Sequence, residues 1–81
     1  MYEAEWSMRS KAAFATALEL WAEARERAVI EVSSKAARLA AEGYGDDAEY
    51  FGFVARLLTV RAIHERARAA ALSSTDYEAI T

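Results

Sequence analysis

Residues 3–42 contain neither glycine nor proline, and this uninterrupted stretch ends in Gly43-Tyr44-Gly45. Glycine and proline are the residues that most strongly break a helix. About half of the 81 residues are therefore free to form one long helix, and the remainder must start again after the glycines. Within the first half, Phe14, Leu18, Trp21, Val29, Val32, Ala36 and Leu39 fall on a stripe roughly 80° wide at about 100° per residue. Glu19, Glu23 and Glu26 lie together on another side, as on an amphipathic helix facing water. Positions 18, 29 and 40, like 14, 25 and 36, are eleven apart. That period predicts a straight or slightly right-handed pair of helices.

Gly43 is placed to end the first helix, because glycine enters the left-handed region without a Cβ clash. Gly45 completes the turn. Asp46 then reads as the N-cap of a second helix, with Glu49 three residues later forming a capping box. The acidic run Asp46, Asp47 and Glu49 also suits the positive end of that helix's dipole. In the second helix Phe53, Leu57, Val60, His64, Ala67 and Ala71 alternate steps of four and three, which predicts the buried seam. Ser73-Ser74 is expected to end it, with Thr75 and Glu78 capping a short C-terminal turn.

The expected fold is all-α. It is a single domain of 1–81 folded as an antiparallel helical hairpin, with a helix over about 5–42, a turn at 43–46, a helix over about 47–72 and a tail at 73–81. Ser33-Ser34-Lys35 is the one place where the first helix could break. A turn centred on 44–45 pairs residue i with about 90 − i. Leu39 then meets Phe51, Ala36 meets Val54, Val32 meets Leu58, and Trp21 sits against Ala69. Arg25, in the middle of the first apolar stripe, falls beside Glu65, which predicts a structural ion pair.

A domain this short buries a limited core and commonly relies on disulfides, metals or association. There is no cysteine and one histidine, so association remains. Two helices leave apolar residues uncovered, and such patches mark interfaces. Trp6, Leu20, Ile30, Tyr44, Phe51, Phe53 and His64 are the expected partner or oligomer interface. Two hairpins making a four-helix bundle are the simplest way to cover them.

The residues offer little for catalysis. His64 has Arg61 and Arg68 for neighbours, a poor setting for a general base, and it is read as a partly buried core or interface histidine. No nucleophile has a base at a useful spacing. The position three before His64 is Arg61, so the Glu-x-x-His pattern of helical carboxylate metal sites fails. Gly43-Tyr44-Gly45 lacks the preceding strand, the third glycine and the charge of a phosphate loop. No catalytic residue, metal or cofactor is expected.

The net charge is −3, against general attraction to nucleic acid or acidic lipid. No apolar run approaches the ~18 residues that span a bilayer, and a cytoplasmic protein is expected. The leading functional expectation is a non-enzymatic protein–protein interaction module, a small homo-oligomer that also binds another protein. A second is a small inhibitor of the phage or mobile-element kind that blocks a host defence complex. A third, resting on Arg56, Arg61, Arg66 and Arg68, is weak nucleic-acid binding.

Overall fold

The computed structural model describes the backbone of residues 8–80 and the side chains of residues 9–73. The chain forms two helices, α1 (Met8–Ala41) and α2 (Gly45–Ile80), packed side by side as a hairpin. The molecule is a rod of 57 × 21 × 18 Å. α1 ends within one residue of its expected C-terminal bound, and α2 outruns its expected bounds at both ends. α1 passes through Ser33-Ser34-Lys35 without a break, because the apolar stripe stays in phase from Val29 to Leu39 and no tertiary contact rewards a kink there. α2 passes through Ser73-Ser74 to Ile80, so the backbone forms neither the expected stop nor a separate C-terminal turn. Two serines carry only a modest helix penalty.

The turn is a Schellman motif. The Tyr44 N–H donates to the Leu39 carbonyl at 2.8 Å and the Gly43 N–H to that of Ala40 at 3.2 Å. Gly43 has φ +93°, which places glycine at the C′ position as expected. The start of α2 departs from expectation. The Ala48 N–H donates to the Tyr44 carbonyl at 2.9 Å. Tyr44 therefore holds the N-cap position and Gly45 the first helical one. Asp46 and Asp47 stand within the first turn, and the Asp46–Glu49 capping box is displaced. Their charges still favour the helix N-terminus through its dipole.

The helices meet along a seven-residue repeat. On α1 the covered positions run 15, 18, 22, 25, 29, 32, 36 and 39, and on α2 they run 48, 51, 55, 58, 62, 65, 69 and 72. Seven residues is the period of a left-handed coiled coil, in place of the eleven read from the first helix alone. Ala15, Ala22 and Ala36 on α1 recur within one set of positions. Ala48, Ala55, Ala62 and Ala69 do so on α2. Alanine has no side-chain rotamers to order and lets two helix backbones come close. Ala15, Leu18 and Ala69 form a buried cluster toward the open end of the hairpin, with Phe14 and Leu72 packed against it.

This arrangement overturns the expected inner face of α2. Phe53, Leu57, Val60, His64, Ala67 and Ala71 are exposed, and the alanine row half a turn away faces α1. Both rows have coiled-coil spacing, so periodicity could not choose between them. Complementarity does: large residues at 53, 57 and 60 would hold the helices apart and forfeit contacts along the alanines of α1. Trp21, expected against Ala69, is 50% exposed and meets the Phe14 ring edge-on at 6.4 Å.

Candidate interaction surface

α2 carries apolar residues on two opposite sides. Its inward side is the alanine row. On its outward side Tyr50, Phe53, Leu57 and Val60 succeed one another at steps of three, four and three, with Phe53 51%, Leu57 54% and Val60 49% exposed. His64 and Ala67 continue the row with steps of four and three and are also exposed. Ile63 flanks it. This is the largest ordered set of uncovered apolar side chains among the described residues, and none of it contributes to the buried core.

The residues expected at an interface divide accordingly. Leu20, Ile30, Tyr44 and Phe53 are exposed, but only Phe53 belongs to the row. Leu20 and Ile30 stand on α1, and Tyr44 is at the turn. Phe51 is half-buried between the helices, with Lys35 Nζ 5.6 Å from its ring centre and Tyr50 edge-on at 5.5 Å. It belongs to the hairpin. Trp6 lies outside the described residues. His64 is exposed, where a partly buried position was expected. Leu57 and Val60, expected in the buried seam, lie outside it. The signal that could have placed them outside was the seven-residue recurrence of alanine at 48, 55, 62 and 69.

Two ion pairs tie α2 to α1. The Arg25 Nε donates to both carboxylate oxygens of Glu65 at 2.9 Å, in the register of i with 90 − i. Glu65 is the one charged side chain in the buried set among the described residues. On the opposite flank Arg66 grips Glu26 through two bonds, Nε to Oε2 at 2.7 Å and Nη2 to Oε1 at 2.8 Å. The hydrogen bond from Arg66 holds the Glu26 carboxyl below its ordinary range. Glu26 raises the Arg66 pKa in return, with Glu23 and Glu19 adding to the pull. Arg66 is thus drawn into the acidic face of α1, and it drops out of the basic cluster counted for nucleic acid.

A shallow groove of about 400 Å³ runs along one flank past Phe14, Trp21, Arg61, His64 and Arg68. Arg68 lies over the Phe14 ring, 5.5 Å from its centre. The carboxylate in this groove, Glu65, is held by Arg25, which leaves His64 open to solvent beside cations. Among the described residues no group of three or more His, Asp or Glu could hold a metal ion, and no helix is long and apolar enough to cross a membrane. Comparison with protein-family models, curated proteins and solved structures gives no match.

Proposed function

We propose that this chain is a non-enzymatic protein–protein interaction module whose docking surface is the outward face of α2. The observation that carries this is the row Tyr50, Phe53, Leu57 and Val60, spaced for a helix partner and turned away from α1. Apolar side chains at alternating steps of three and four form the ridge that a second helix accepts between its own side chains. The hairpin acts as the holder. Its alanine contact and two ion pairs fix α2 without using any residue of the row, so the row is presented on a rigid element. Aromatic residues carry a large share of the binding energy at such surfaces, which assigns the anchor role to Phe53 and Tyr50.

A photo-crosslinking amino acid placed at position 57 in the full chain, in the cells that make it, tests this. Adducts are expected from position 57, and none from the same group at Glu31 on the polar outer side of α1. Equal yields at both positions, or no adduct at 57 of any kind, would refute the docking role.

A further inference from the structure

We propose that the outward row of α2 pairs with the same row of a second copy, antiparallel, giving a flat four-helix layer in which the two α2 helices are central. The inference rests on the docking role above and names the occupant.

Two independent features of the row select this partner. The first is size. Large residues, Tyr50, Phe53 and Leu57, occupy its N-terminal half, and smaller ones, Val60, His64 and Ala67, its C-terminal half. Antiparallel pairing of i with about 117 − i sets Leu57 opposite Val60 of the second copy, Phe53 opposite His64 and Tyr50 opposite Ala67. Every layer then joins a larger residue to a smaller one, which fills space evenly. Parallel pairing would crowd Tyr50 on Tyr50 and leave Ala67 facing Ala67 across a gap.

The second feature is charge. The row begins among Asp46, Asp47 and Glu49, and it ends between Arg61 and Arg68. Asp47, Arg61 and Arg68 share one flank of the row, because successive members are two heptads and one heptad apart. The antiparallel register brings Asp47 within reach of Arg68 of the second copy, whose guanidinium would exchange its place over the Phe14 ring for the ion pair, and the two-fold axis repeats that contact at the other end. A parallel pair would set acid against acid and arginine against arginine. Flanking charges choose orientation in this way in coiled coils.

The geometry also fixes the shape. The outward row lies opposite the alanine row on α2, so the second copy adds on the far side of α2 from α1. The four helices form a row, α1, α2, α2, α1, whereas a square bundle would need the two faces a quarter turn apart.

The natural chain has no cysteine, so introduced ones report cleanly. In sedimentation the chain is expected at about twice its 9.0 kDa. Leu57→Glu is expected to weaken association by more than about 100-fold, since it buries an unpaired charge, with helical circular dichroism unchanged. Under oxidation, Asp47→Cys mixed with Arg68→Cys is expected to form the mixed disulfide, and neither variant alone to form a homodimeric one. A disulfide dimer of Asp47→Cys alone would mean parallel pairing and overturn the proposal. So would a Leu57→Glu protein that stays dimeric. A natural chain that remains at 9.0 kDa at all concentrations overturns the second copy as occupant; position-57 adducts to a different protein would then leave the docking role standing.

Discussion

At the scale of single residues, the glycines separate conformational need from empty space. Gly43 sits at φ +93°, and a Cβ there would meet nothing within 4 Å. Only backbone strain opposes a side chain, so Gly43→Ala is expected to cost about 1–2 kcal/mol. Gly52 lies inside α2, and its Cβ would come to 3.7 Å from Arg56 Nη1, an ordinary contact. Gly52→Ala should therefore stabilise the hairpin by about 0.5–1 kcal/mol through helix propensity. Urea unfolding of the two variants checks both signs. Glu26 supplies a pH test. Its folded pKa is lowered by Arg66, so its contribution is complete above the ordinary carboxylate range and lost as pH falls through the lowered folded value. The Tm difference between the natural chain and Glu26→Gln is expected to be present at pH 7 and to shrink steadily below about pH 4.

At the scale of elements, the pairing of α1 with α2 combines a thin apolar contact with one buried ionic layer. Arg25 and Glu65 occupy equivalent positions of the two repeats, among alanine, valine and leucine layers. Glu65→Leu strips Arg25 of its partner, and because Arg25 keeps about a third of its side chain in solvent the expected loss is about 1–3 kcal/mol. Adding Arg25→Leu to that variant is expected to recover most of it, since an apolar pair of similar volume replaces a desolvated ionic one. Chemical denaturation of the two single variants and the double variant measures the coupling. The hairpin, the Gly43 turn and the register that brings Arg25 to Glu65 were legible in the sequence, because glycine chemistry and loop length leave little choice. The inner face of α2 was not. Phe53, Leu57 and Val60 are the larger apolar residues, and hydrophobicity alone ranks them above Ala55, Ala62 and Ala69. What ranks the alanines first is the matching row on α1, a property of two helices that neither shows alone. The N-cap differs for a smaller reason: the Schellman turn hands the chain directly from Gly43 to a helix whose first accepting carbonyl is that of Tyr44, before any aspartate is reached.

At the scale of the whole molecule, the core is slight. Among the described residues, five of the six buried apolar residues are alanines, and the sixth is Leu18 at 3% exposure. Leu18→Ala is expected to cost about 2.5–5 kcal/mol. Marginal stability of 5–15 kcal/mol is usual even for larger domains, so this single change should move a large part of the population to the unfolded state at 37 °C, as circular dichroism would show. Association through α2 would add to stability by mass action. The Tm of the natural chain is accordingly expected to climb with protein concentration, and that of Leu57→Glu to stay level.

In the docking role proposed for the outward row, the two faces of α2 would divide labour between folding and recognition. The buried alanines and the two ion pairs that hold α2 to α1 lie outside the outward row. In that role, changes at Phe53, Leu57 or Val60 would redirect the molecule toward a new companion without endangering the scaffold that displays them. Such a chain is free to diversify its contacts while its interior stays constant.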